Sequence, residues 1–127
     1  MQYSYKKQVN LPFAEAENKI REELAKEGFG IITEINAKET FKKKLDVDFE
    51  NYIILGACQP ASAHKVLRID KEIGLLLPCN VIIYEDNGKV FVSAILPTVV
   101  LDMANKLELA STAKEIEEKL KKVVDGV

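Results

Sequence analysis

The chain has 127 residues, 47% of them hydrophobic and 30% charged, and its 18 basic and 20 acidic side chains leave a formal net charge of −2. That length suits one domain with its own core, and the apolar content excludes a disordered segment. There is no basic excess of the kind nucleic-acid binders carry, and two cysteines with one histidine cannot make a four-ligand Cys/His zinc site within one chain.

The N-terminal run Met1-Gln2-Tyr3-Ser4-Tyr5-Lys6-Lys7 has no apolar core and no small-residue cleavage site, so it does not read as a secretory signal. The most apolar stretch, Val90 to Leu101, is broken by Ser93, Pro97 and Thr98, and is shorter than the roughly 18 residues of a membrane span. Both points predict a cytoplasmic protein with no membrane partner and with its cysteines kept as thiols.

From Gln2 to Val9 polar and apolar residues alternate, Lys7 excepted, which predicts a strand with one covered face, Tyr3, Tyr5 and Val9 pointing inward. Pro12 suits the first turn of a helix capped by Asn10 or Leu11. Phe13, Ala16, Ile20 and Leu24 then recur at spacings of three and four, and Gly28 ends the run. Gly30 to Ile35 reads as a strand. Asn36 and Glu39 form a capping box for a helix of about two turns, whose inner face is Ala37, Phe41 and Leu45 and whose Lys42, Lys43 and Lys44 are a solvated C-terminus.

Tyr52 to Ala57 is an apolar run of inner-strand character, and Pro60 to Ile69 a helix with Ala63, Val66 and Leu67 inward. Val81–Tyr84 and Val90–Ser93 flank Asn87-Gly88, the preferred type I′ turn pair, so Tyr84 should face Phe91, Ile83 should face Val92 and, further back, Cys79 should face Leu96. Pro97 stops that strand. Thr112 and Glu115 form a second capping box, opening a last helix with Ala113, Ile116, Leu120 and Val123 inward. The fold class is α+β over residues 1–127: an antiparallel sheet of about five strands with the main helices on one face.

Chemistry concentrates in two segments. In Leu55-Gly56-Ala57-Cys58-Gln59-Pro60-Ala61-Ser62-Ala63-His64, Cys58 precedes a helix N-terminus whose N–H groups would favour a thiolate; Gly56 permits close backbone approach; His64 lies one turn into the helix. Cys58 and His64 are therefore the catalytic candidates, against the plainer reading of a packed thiol and a solvated imidazole. In Gly74-Leu75-Leu76-Leu77-Pro78-Cys79-Asn80, Cys79 reads as a packed strand residue, or as a second thiol sharing a pocket with Cys58 and His64, either as three soft ligands or as a thiol pair with a base. No CxxC pair, phosphate-cradling glycine loop or nucleophile elbow is present. No metal site is assigned, and the sequence leaves the cofactor unknown.

These two segments, with Gly28-Phe29-Gly30 and Thr33-Glu34-Ile35, resemble the family called domain of unknown function 302 over essentially the whole chain. The resemblance implies a TATA-binding-protein-like β-α-β4-α fold, a homodimer and no established activity. Its motif positions here are Gly56, Cys58, Pro60, His64, Pro78, Cys79 and Asn80. Many members place Asp before the proline that closes the second hairpin strand, whereas Leu96 precedes Pro97 here. The fold name does not carry DNA binding with it, because that needs a basic face and apolar wedges. The expected function is a small-molecule-binding module. The alternatives are a thiol-dependent redox or sulfur-handling enzyme using Cys58, with Cys79 as an optional second thiol, and a protein-interaction module.

Overall fold

Alternation at the N-terminus becomes β1 (Ser4–Val9), the first element of a computed structural model that describes residues 2–127. The α1 helix (Phe13–Lys26) starts one residue later than the proline rule suggests: Pro12 caps it, its carbonyl accepting from the Ala16 N–H at 2.9 Å. Gly28, at φ +84°, turns the chain into β2 (Gly30–Asn36). The α2 helix (Ala37–Leu45) opens as expected, with Asn36 Oδ1 accepting from the Glu39 N–H at 3.0 Å. Its expected inner face is only partly used, because Leu45 is 65% exposed.

The remaining elements are β3 (Tyr52–Cys58), α3 (Pro60–Ile69), β4 (Cys79–Asp86), β5 (Lys89–Ile95), α4 (Pro97–Asp102) and α5 (Ala110–Asp125), with 3-10 turns at Lys71–Leu76 and Leu107–Leu109. The five strands form one antiparallel sheet in the order β1-β5-β4-β3-β2. The hairpin register follows the Asn-Gly rule: Asn87 and Gly88 take φ +52° and +78°, Tyr84 faces Phe91 and Ile83 faces Val92. The β4–β5 ladder stops at Val81 and Ala94, short of Cys79 and Leu96, while on the other side of β4 Cys79 pairs with Ala57 of β3.

One face of the sheet is the core. Ile53, Leu55 and Ala57 of β3, Val81 and Ile83 of β4, and Val90, Val92 and Ala94 of β5 are buried there against α1 and α5. Ile20 and Leu24 of α1 are fully covered, each contributing about 1.5–3 kcal/mol relative to exposure. A second apolar cluster joins Val66, Ile73, Leu101, Leu109 and Ala113 beneath α3 and α4.

Packing explains one exception in the pattern, overrules one local expectation and extends a third. Lys7, the polar residue on the inner face of β1, lies at the sheet edge and donates to the carbonyls of Asp125 and Val127 at 3.1 and 3.2 Å, where the negative end of α5 favours a cation. Thr112 and Glu115 do not cap α5: the helix begins at Ala110 with no side-chain cap, and Thr112 is 2% exposed. Pro97 does more than end β5. It opens α4, whose Thr98 donates from N–H and Oγ1 to Glu117 Oε1 of α5 at 3.0 and 2.6 Å.

Candidate functional site

Beyond the core, the C-terminal end of β3 and the N-terminal end of β4 run side by side, and the two motif segments meet there. Cys58 ends β3, Gln59 precedes α3, and Leu77 and Pro78, joined by a cis peptide, lead to Cys79 at the start of β4. Cys58, Pro78 and Cys79 line one cavity of about 190 Å³ together with Phe29, Ile32, Ala57, Gln59, Ser62, Ala63, Leu77 and Ile116. A second cavity, about 280 Å³, opens on the other side of Leu77, Pro78, Cys79 and Ile116, walled by Leu75, Leu76, Asn80, Ile95, Pro97, Val100 and Leu101.

The polar groups in the first cavity are engaged with one another. Ser62 Oγ donates to Gln59 Oε1 at 2.6 Å, and Gln59 Nε2 donates to the Glu27 carbonyl at 3.3 Å. This chain of bonds ties the start of α3 to the end of α1 and leaves the remaining wall almost wholly apolar.

Gly56 stands behind the cavity wall. A Cβ there would overlap Thr33 Oγ1 and lie 2.7 Å from Pro78 Cγ, so the missing side chain is what lets the Pro78 ring pack against β3. Asn80 is exposed at the rim of the second cavity. Pro60, in the first turn of α3, and His64 on its outer face are both exposed and line neither cavity. The three-ligand set of Cys58, Cys79 and His64 therefore does not assemble, and no group of three or more His, Cys, Asp or Glu side chains gathers among the described residues.

Both cysteines are free thiols. Burial, and after it the neighbouring Cys58, push the Cys79 thiol up from 9.0 to about 11. The folded chain thus holds this proton to higher pH than the unfolded chain does. The associated stability is intact below about pH 9 and is lost as pH rises towards 11. Urea titrations of the parent and of Cys79→Ala should show a constant difference up to about pH 9, which shrinks by on the order of 2 kcal/mol by about pH 10.5. A difference that stays constant with pH would mean the thiol is not desolvated.

Phe29, Ile32, Leu77 and Ile116 are cavity residues that sequence patterning did not select. Ile116 was legible only as part of the α5 stripe, and Phe29 only as the residue after a helix-ending glycine. Among other concavities, a shallow depression of about 740 Å³ beside Phe49, Tyr52 and Tyr84 is rimmed by Lys38, Asp48, Glu50, Glu85 and Asp86.

No curated protein matches this chain. Among solved structures it is similar to the crystal structure of an uncharacterized conserved protein DUF302 from Bacillus stearothermophilus, with 29% sequence identity, 98% of each chain covered and a TM-score of 0.92. The model of the family described as Domain of unknown function DUF302 matches residues 5–127, and the chain, with both of its Cys-containing segments inside that match, belongs to this family.

Proposed function

We propose that this protein is a module that binds an apolar small molecule in the paired cavity and that it works as a cytoplasmic homodimer. The observation that carries the reading is the adjacency of two apolar cavities whose shared wall is built from Leu77, Pro78, Cys79 and Ile116. Small-molecule sites are concave and mainly apolar with a few placed polar groups, and the volumes here suit a modest ligand. The free thiols of two neighbouring cysteines fit a reducing compartment. No helix among the described residues is long and apolar enough to cross a membrane.

The dimer rests on the second face of the sheet. Alternation puts Ile35, Ile54, Ile82, Tyr52, Tyr84 and Phe91 on the side away from α1 and α5. Tyr52, Tyr84 and Phe91 stack across the strands at 5.5 and 5.2 Å. Five strands about 4.8 Å apart, each some six residues long at about 3.4 Å per residue, present on the order of 500 Å² in plan. That is about 60% of the ~800 Å² per partner of a standard interface, and a second copy laid face to face covers a surface that water otherwise wets. The TATA-binding-protein-like arrangement implied by the resemblance is proposed for the architecture alone. The −2 charge gives it no nucleic-acid partner.

Native mass spectrometry of freshly purified protein tests both parts at once. Two chains carrying a retained small molecule are expected, with the molecule's occupancy unchanged in His64→Ala and altered in Cys58→Ser. A ligand-free monomer at micromolar concentration would overturn the reading. The thiol-enzyme alternative, which rests on Cys58, has the adjacency of Cys79 in its favour, but Cys79 at about 11 is itself a thiol near neutral pH and does not supply the thiolate that sulfur chemistry needs. Thiols that alkylate only in denaturant would leave that alternative without support.

A further inference from the structure

The free face of the sheet keeps its charges apart. A row of rings crosses it from β5 to the loop before β3: Phe91, Tyr84, Tyr52 and Phe49, with centroids 5.2, 5.5 and 6.1 Å apart in turn. At the β1 end, Lys6 holds its ammonium 5.0 Å from the Phe91 ring. At the other end the row enters the depression of about 740 Å³, where Asp48, Glu50, Glu85 and Asp86 outnumber a single base, Lys38. Three of these acids have neighbours of their own: Asp48 has Lys42 at 3.5 Å, Glu85 accepts from Asn51 at 2.8 Å, and Asp86 stands opposite Lys89 in the hairpin. Glu50 and Lys6 are both exposed, and among the described residues neither is in an ion pair. Uncommitted charges of opposite sign thus stand at the two ends of one aromatic row.

That separation decides how a second copy can lie on this face. A two-fold contact brings the same patch of both chains together. With the strands of the two sheets aligned, the axis runs either across the strands or along them. Across the strands, β1 covers β1 of the partner, Lys6 meets its own copy, and like charges oppose association. Along the strands, β1 covers the β2 side, the aromatic rows overlie each other in reverse, and each Lys6 arrives at the acidic depression. The depression lies beyond the strand ladder, so engaging it also adds to the area that the ladder alone provides.

We propose that the free sheet faces of two copies meet about an axis parallel to the strands, so that the Lys6 ammonium of each enters the depression of the other and pairs with Glu50 beside Phe49 and Tyr52. An ammonium suits this place twice over, through the carboxylate and through the faces of the rings. This deepens the dimer half of the proposed function and rests on it.

Analytical ultracentrifugation of the parent, Lys6→Glu, Glu50→Lys, and equimolar mixtures of these chains is the test. Each variant alone sets like charges together twice per dimer and should dissociate about tenfold more readily than the parent. A mixture of the two variants should regain the parent's affinity, because in the mixed dimer opposite charges meet again at both contacts. Variants that associate as tightly as the parent, or a mixture no tighter than its components, would overturn the proposed arrangement and leave the dimer standing. So would a Lys6→Glu chain that pairs with the parent better than the parent pairs with itself, the mark of β1 lying over β1. A parent that stays monomeric at micromolar concentration would remove the dimer reading itself. Both substitutions fall on exposed side chains, and recovery in the mixture is a result that unfolded chains cannot give.

Discussion

Gly56→Ala is expected to destabilise the protein by about 3 kcal/mol, the upper end for forcing added volume into a packed region, and to lower the melting temperature by about 10 °C. The added methyl would overlap Thr33 Oγ1, sit 2.7 Å from Pro78 Cγ and 3.3 Å from Thr33 Cβ. A branched side chain on a neighbouring strand and a proline ring leave no flexible end to swing away. Relief would require moving Pro78 and, with it, the wall shared by the two cavities, so ligand binding should weaken along with stability. Gly30 supplies the control: a Cβ there meets only the Cys58 carbonyl oxygen, at 3.9 Å. Gly30→Ala should therefore be neutral or slightly stabilising, since it removes the backbone freedom of glycine in a strand. Denaturant midpoints for the two variants decide the matter, and equal effects would refute the packing argument.

Ile116→Ala is the second large effect, a loss of about 2–4 kcal/mol. Ile116 is 5% exposed, belongs to the main core and lines both cavities. Truncating it removes buried methyl groups and, at the same time, joins the two lobes into one larger space. An apolar filler such as benzene should then bind the enlarged space and recover part of the lost stability in proportion to the logarithm of its concentration. Thermal melts at increasing benzene, compared with the parent, give the readout. A variant that loses stability yet gains no more from benzene than the parent would show that the surrounding helices collapse into the gap.

Much of the architecture was legible from local patterns because those patterns are enforced locally. The Asn87-Gly88 pair can adopt the positive φ values of a type I′ turn, and that alone sets the register of β4 and β5. The stripes of α1 and α5 were equally plain, since residues spaced three and four apart share one helix face. The Asn36 box worked because its helix starts where the box places it. The Thr112–Glu115 box carries the same signal and fails. Burial of Leu109, 1% exposed, draws the Leu107–Leu109 turn straight into α5 and turns Thr112 inward. Lys7 broke the alternation for a reason more than a hundred residues away, the carbonyls at the end of α5.

The candidate site divides along the same line. Residue chemistry by itself determined the α+β class, the strand and helix order around the main elements, and the two segments in which distinctive side chains cluster. It also identified Gly56 as a place of close approach. Only the tertiary structure decided which of those side chains meet. The pairing of Ala57 with Cys79 brings Cys58, Pro78 and Cys79 to one cavity, while the 3.6-residue repeat of α3 carries His64 to its outer face, away from both thiols. Phe29, Ile32 and Ile116 complete the wall from three other elements. Their contribution depends on how β2, β3, β4 and α5 pack together, and no spacing along the chain encodes that directly.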